Sequence, residues 1–275
     1  MKAVLLCCLG VGLLSSVVMA GPEDDLKAFQ EFYQQKFPEV PFEDYINGVY
    51  TINEDARAQW EMIEEFPPYT IAVEEGEELF NTPFANGKTY ADCFPNGGIG
   101  IRQNYPYFDL ESEQVKTLEM EINECREKNG EPPLPWQKGP LASISAYMAY
   151  TSRGKTIDIK VPDDPNALAA YERGKQSFYA KRGQLHFSCA DCHILSPGLL
   201  LRSETLSPAL GHTSHFPVYR SGWGELGTLH RRYIVCYRQV RAKPFAAQSE
   251  EYRNLEYFQT YMSNGLTING PGSRK

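Results

Sequence analysis

The chain has 275 residues, 42% of them hydrophobic and 23% charged, and a net charge of −8. That length allows more than one compact unit, and the acidic balance argues against nucleic acid or anionic lipid as partners. After the first twenty residues no stretch is long and apolar enough to span a membrane.

Residues 1–20 place Lys2 ahead of an apolar run from Ala3 to Leu14 and close with Val18-Met19-Ala20 before Gly21. This pattern reads as a cleavable secretory signal and so as export to the periplasm. Cys7 and Cys8 leave with it, and losing Lys2 takes the net charge from −8 to −9. Five cysteines stay: Cys93, Cys125, Cys189, Cys192 and Cys236, in a compartment that permits disulfides. Residues 21–70 are expected to form an N-terminal helical extension. Leu26, Phe29, Phe32, Tyr33 and Phe37 recur at near-helical spacing between Pro22 and Pro38. A second helix is expected from Asn53 to Phe66, stopped by Pro67-Pro68. Glu74 to Leu79 is a short acidic helix whose charges read as a solvated face.

From there the chain repeats itself. Tyr90-Ala91-Asp92-Cys93-Phe94 aligns with Cys189-Ala190-Asp191-Cys192-His193 at an offset of 99 residues, and Glu75-Gly76 falls on Arg173-Gly174 at 98. After a 12-residue insertion the offset holds at 111, pairing Pro106 with Pro217, Thr117-Leu118 with Thr228-Leu229, and Cys125 with Cys236. Tyr150, Ser152 and Gly154 pair with Tyr261, Ser263 and Gly265 at the same offset. The expected fold is mainly α, with two tandem cytochrome-c-like domains related by internal duplication, over 71–160 and 161–275. Each copy is read as a helix before the motif, a Pro- and Gly-rich middle, and a closing helix. In the first copy the closing helix is Ser143 to Tyr150, within the connecting segment from Gly130 to Val161. In the second, the helices are Pro165 to Lys181, opened by Asp163-Asp164, and Gln248 to Ser263, stopped by Gly265.

Cys189-Ala190-Asp191-Cys192-His193 has the C-x-x-C-H form in which two cysteines attach covalently to haem vinyl groups and the histidine ligates the iron. A redox dithiol does not need the histidine, and a zinc site needs a second closely spaced ligand pair, which the chain lacks. One haem c is therefore expected, in the second copy. In the first copy Tyr90 stands where the first cysteine would be and Phe94 where the histidine would be, so that domain is read as haem-free. Its Cys93 and Cys125 occupy positions that flank the iron in the other copy and are the natural pair for a disulfide.

The second iron ligand comes from His212, His215, His230, Met262, Cys236 or solvent. Methionine is the commonest partner in electron carriers, but Met262 lies within the last helix, where core packing accounts for it. His212 and His215 lie in a loop bounded by glycine and proline and read as surface residues, and His230 falls opposite Glu119 in the repeat. Cys236, the counterpart of Cys125, should stand close to the haem. Arg231, Arg232, Arg238, Arg241 and Lys243 are expected to crowd it, favouring thiolate and suiting an oxyanion. A buried inert thiol among unrelated surface charges is the other reading of those residues.

Arg231-Arg232-Tyr233-Ile234-Val235-Cys236-Tyr237-Arg238-Gln239-Val240-Arg241-Ala242-Lys243-Pro244-Phe245, following C-x-x-C-H in the second of two cytochrome domains, closely resembles the SoxA family, the catalytic subunits of the SoxAX cytochromes of thiosulfate oxidation. The resemblance covers essentially the whole chain after the signal. It implies that Cys236 is an axial haem ligand carried as a persulfide, and that Arg232 beside it binds substrate. Many members hold two haems. Tyr90 and Phe94 depart from them and resemble the monohaem branch, with a disulfide in the vacant domain. The family further implies a heterodimer with a small c-type cytochrome, SoxX, and a carrier, SoxYZ, whose cysteine receives thiosulfate in an L-cysteine S-thiosulfotransferase reaction. A plain electron-transfer cytochrome, a thiosulfate dehydrogenase forming tetrathionate, and a non-catalytic scaffold for another haem subunit are the alternatives.

Overall fold

A computed structural model describes residues 21–275; the expected signal segment lies outside the described residues. Helix α1 spans Pro22–Lys36, with proline at its start, where a missing N–H costs nothing, and acidic residues in its first turn. A run of tight helical turns follows over Phe42–Thr51. Asn53 caps α2, Glu54–Glu64, by accepting from the Ala56 N–H at 2.9 Å. Next come α3 (Thr70–Asn81), the antiparallel pair β1 (Tyr107–Asp109) and β2 (Gln114–Lys116), α4 (Leu118–Lys128) and α5 (Pro140–Tyr150).

The later half follows the same order. It has α6 (Pro165–Tyr179), the two-residue strands β3 (Leu200–Leu201) and β4 (Glu204–Thr205), the antiparallel pair β5 (Val218–Arg220) and β6 (Glu225–Gly227), α7 (Leu229–Gln239), α8 (Glu250–Tyr261) and β7 (Gly272–Arg274). β7 pairs parallel to β5. In each half the opening and closing helices cross at a glycine. A Cβ on Gly76 of α3 would run into the Ser143 carbonyl of α5, and one on Gly174 of α6 into the Asn254 carbonyl of α8. Only glycine lets the two backbones approach this closely.

Three differences from the sequence reading stand out. α3 begins at Thr70 rather than Glu74, because Tyr69 and Val73 are buried and pull the first turn into the fold. α4 and α7 are helices inside what reads as an irregular Pro- and Gly-rich middle. Thr117 caps α4 through its hydroxyl, and Leu229, Tyr233, Ile234 and Tyr237 form the buried stripe of α7. Finally, α1 precedes the first half in sequence but packs on the second. Phe29 and Tyr33 join Tyr171, Phe178, Tyr233, Tyr252 and Phe258 in one core, and Asp25 pairs with Lys175 at 2.6 Å.

The first half has its own core, in which Phe80, Phe84, Tyr90, Phe94, Leu118, Ile122 and Met148 pack together. Tyr90, at the first cysteine's position, is 1% exposed and lies against Phe80 and Phe84, with ring centroids 5.7 and 4.9 Å away. Cys93 and Cys125 are joined in a disulfide. The two halves meet through buried polar contacts. Arg102 of the first reaches Glu256 of α8 at 3.5 Å, and His230 Nε2 lies 3.1 Å from the other carboxylate oxygen. Among the described residues no helix is long and apolar enough to cross a membrane.

Candidate functional site

Ser188 and Asp191 fold the cysteine motif by capping each other. The Ser188 N–H and hydroxyl donate to the Asp191 carboxylate at 2.7 and 2.8 Å, and the Asp191 N–H donates to the Ser188 hydroxyl oxygen at 3.0 Å. This reciprocal box starts a helical turn at Cys189. The turn widens to π geometry over Asp191–Leu195, so Cys189, Cys192 and His193 come off a single short coil.

His193 is fixed on two sides. Its Nδ1 lies 2.9 Å from the Ser207 carbonyl oxygen, which can only accept, so the ring proton sits on Nδ1 and the Nε2 lone pair is free. Its own carbonyl accepts from the Tyr33 hydroxyl at 2.6 Å, and Lys36 donates to the carbonyls of Ile194 and Leu195 at 2.6 and 3.0 Å. Burial, with Arg232 adding to it, lowers the His193 pKa to about 4, which keeps the imidazole neutral, the form that ligates a metal.

α7 brings Cys236 to the same place. Cys189, Cys192 and Cys236 are all free thiols. Burial pushes the Cys189 thiol up to about 12, and the charges of Cys236 and Cys192 add to that. Burial and then Cys236 also raise Cys192. Arg232 lies one turn before Cys236, on the same helix face. Its Nη2 is 3.5 Å from Glu204, and Glu204 also holds Arg220 at 2.9 Å. Burial and the like charge of Arg232 lower the Arg220 pKa, while Glu204 and Cys236 oppose them. Arg220, Arg232 and Cys236 therefore share one electrostatic neighbourhood.

The expected ring of cations around Cys236 is only partly there. Arg231 turns away, stacked over Trp223 at 4.2 Å and paired with Glu225 at 3.1 Å. Arg238 is exposed, and Arg241 and Lys243 line a cleft of about 520 Å³ with Lys181, Arg182 and Tyr237. Arg220, from β5, supplies the second cation instead. No local pattern marks it, since β5 reaches α7 only through tertiary packing.

The other expected ligand candidates also find their places. His212 is not a surface residue: its ring is 4.3 Å from that of His193, and its Nε2 is 2.8 Å from the Ser207 hydroxyl. His215 is buried and stacked on Phe216. Both histidines are held well below their usual pKa, first by burial. His230 belongs to the Arg102–Glu256 contact, and Met262 is core at 1% exposure.

Haem fits this arrangement. Among the described residues no cluster of three or more His, Cys, Asp or Glu could hold a bare metal ion, but a porphyrin brings its own four nitrogens and asks the protein only for axial ligands. His193 offers a free, neutral Nε2, Cys189 and Cys192 come off the same coil as free thiols, and the charge of the free Cys236 is felt by both.

Comparison with known proteins agrees. A sequence model of the SoxA/TsdA cytochrome c domain matches residues 75–157. The chain is 61% identical to the L-cysteine S-thiosulfotransferase subunit SoxA of Chlorobaculum tepidum, over 91% of this chain and 87% of that one. It is 56% identical to the protein of the same name from Allochromatium vinosum, over 95% and 93%. The crystal structure of SoxXA from P. pantotrophus superposes with a TM-score of 0.72 at 27% identity, covering 81% of this chain and 84% of that one. With likeness of this order running through both halves, the chain belongs to the SoxA family of c-type cytochromes.

Proposed function

We propose that this protein is the L-cysteine S-thiosulfotransferase subunit of a periplasmic sulfur-oxidising system, working as a heterodimer with a small c-type cytochrome (SoxX) and delivering thiosulfate to a cysteine of a SoxYZ-type carrier. The names of its relatives support the reaction, and the SoxXA structure supports the heterodimer. The observation that carries the site assignment is that the charge of Cys236, on α7, acts on both Cys189 and Cys192, with Arg232 one turn away on the same helix.

Residues 71–160 then form a haem-free cytochrome-c-like domain and 161–275 the haem-bearing one, the two arising by duplication. Tyr90 and Phe94, packed into the first core, fill the space a macrocycle would need. Cys189 and Cys192 would hold one haem c covalently, and His193 and Cys236 would ligate its iron. When bound, haem c supplies a redox-active iron that accepts electrons and passes them on.

Arg232, with Arg220, binds the sulfonate-like oxygens of thiosulfate, leaving the sulfane sulfur toward Cys236. The Cys236 sulfur and that sulfane sulfur form one S–S bond, and two electrons leave. The carrier thiolate then attacks the sulfane sulfur, the bond to Cys236 breaks, and the Cys236 thiolate is regenerated with its charge. Overall one carrier thiol and one thiosulfate give a carrier S-thiosulfonate, one proton and two electrons. A neutral His193, held by Ser207 and Tyr33, keeps its geometry throughout.

The test is turnover of the purified heterodimer with thiosulfate, with and without the carrier. Electron release that requires the carrier, with the thiosulfonate adduct found on its cysteine by mass, is the expected result. Tetrathionate formed at the same rate without carrier would overturn it in favour of a thiosulfate dehydrogenase.

A further inference from the structure

The anion site just described already holds an anion. β3 and β4 form a hairpin of two residues per strand, Leu200 opposite Thr205 and Leu201 opposite Glu204. Glu204 reaches across to Arg220 at 2.9 Å and Arg232 at 3.5 Å, one carboxylate oxygen to each. The two guanidinium-bearing side chains are only 13% and 21% exposed, whereas that of Glu204 is 41% exposed. The arginines are therefore built into the fold and the carboxylate is not. We propose that Glu204 is a resident competitor in this site: its carboxylate holds the Arg220–Arg232 pair until an oxyanion of the thiosulfate type displaces it, and Glu204 thereby sets the threshold for anion binding.

The hairpin is sparsely anchored. Leu199 and Leu200 are 63% and 70% exposed, so little apolar burial anchors it. Besides Glu204, the side-chain tie described for β4 is a long contact of 3.5 Å from Asn53 to Thr205. A two-stranded ribbon this short has little stability of its own. Carboxylate and sulfonate oxygens accept from guanidinium N–H groups in the same way, so one can replace the other without rearranging the arginines. Two guanidinium groups left facing each other without an anion repel, so the pair favours whichever anion arrives. A doubly charged oxyanion has the advantage over a single carboxylate, whereas a singly charged anion such as chloride or acetate does not. Glu204 is thus a selectivity device as well as a plug.

This inference rests on the proposed reaction only in naming thiosulfate. It is tested on the heterodimer with Glu204→Gln, which keeps size and removes charge, and with Glu204→Asp, which keeps the charge. Calorimetric titration with sulfate reads the arginine pair without turnover, and KM for thiosulfate reads it with turnover. Removing the competitor frees the fraction of sites it occupied. Glu204→Gln should therefore bind sulfate about tenfold more tightly and lower the thiosulfate KM by a similar factor, while Glu204→Asp stays near the wild-type values. Glu204→Ala repeats the measurement should the amide disturb folding. Unchanged or weaker sulfate binding in the charge-removed variants would overturn the proposal and leave Glu204 as a brace for the arginines. Absence of thiosulfate turnover in the wild-type heterodimer would count against the reaction instead, with the sulfate titration still deciding the role of Glu204.

Discussion

Replacing Arg102 by methionine removes one of the two partners of a buried carboxylate. The Arg102 guanidinium is 2% exposed and the Glu256 carboxylate 1%, and they meet 3.5 Å apart where the two halves join. On the other side of the carboxylate, His230 Nε2 lies at 3.1 Å, with His230 Nδ1 accepting the Gln248 N–H at 2.9 Å. Burial pushes the Glu256 carboxyl up, but His230 and then Arg102 outweigh it and hold the group below its ordinary 4.5. Removing one partner of a buried pair costs about 3 to 5 kcal/mol. At about 2 to 4 °C per kcal/mol for a chain of this size, that is a fall in Tm of about 6 to 20 °C. Because the folded pKa is depressed, the contribution is complete above the ordinary carboxylate range and is lost as pH falls through the folded value. The gap between wild type and Arg102→Met, followed by circular dichroism, should therefore be full at pH 7 and close below about pH 4.5. Adding Glu256→Gln to Arg102→Met should recover more than half of the loss. A drop under about 1 kcal/mol, or no recovery in the double variant, would refute this account of the join.

Gly174→Ala forces a methyl into the Asn254 carbonyl and should cost about 3 kcal/mol, the upper end for overpacking; chemical denaturation checks it. Cys93→Ser with Cys125→Ser opens a disulfide of sequence separation 32 and should lower stability by about 3 to 4 kcal/mol on the loop-entropy estimate, with the haem stain on a denaturing gel unchanged. Cys236→Ser should also keep the covalently held haem, but lose carrier-dependent thiosulfate turnover by roughly three orders of magnitude or more. Normal turnover would return Cys236 to the inert-thiol reading.

What could be read in advance was local. C-x-x-C-H needs only five neighbouring residues, and Asn53, Pro165 and Gly265 mark helix ends within a turn of where they fall. α7 was harder to see, because its apolar stripe is interrupted by Arg231, Arg232 and Arg238 and it sits between a short strand and a loop. Arg220 and Glu204 are 16 residues apart and meet only because separate strands present them to α7. His212 read as a loop residue, but Ser207 draws it onto His193. Adding charges along the sequence overcounted the cations around Cys236, since alternate positions on a helix point away from each other.

The Tyr33 hydroxyl reaches a carbonyl 160 residues further on, that of His193. The chain leaves the ribosome amino end first, so the segment that steadies the C-x-x-C-H turn is made long before the turn exists. α1 finds its core partners in the later half, where Phe29 and Tyr33 pack with Tyr171, Phe178 and Phe258. Folding thus has a built-in order: the last portion must arrive before the earliest helix can seat, and until it does the coil carrying Cys189, Cys192 and His193 lacks the Tyr33 and Lys36 hydrogen bonds that hold it.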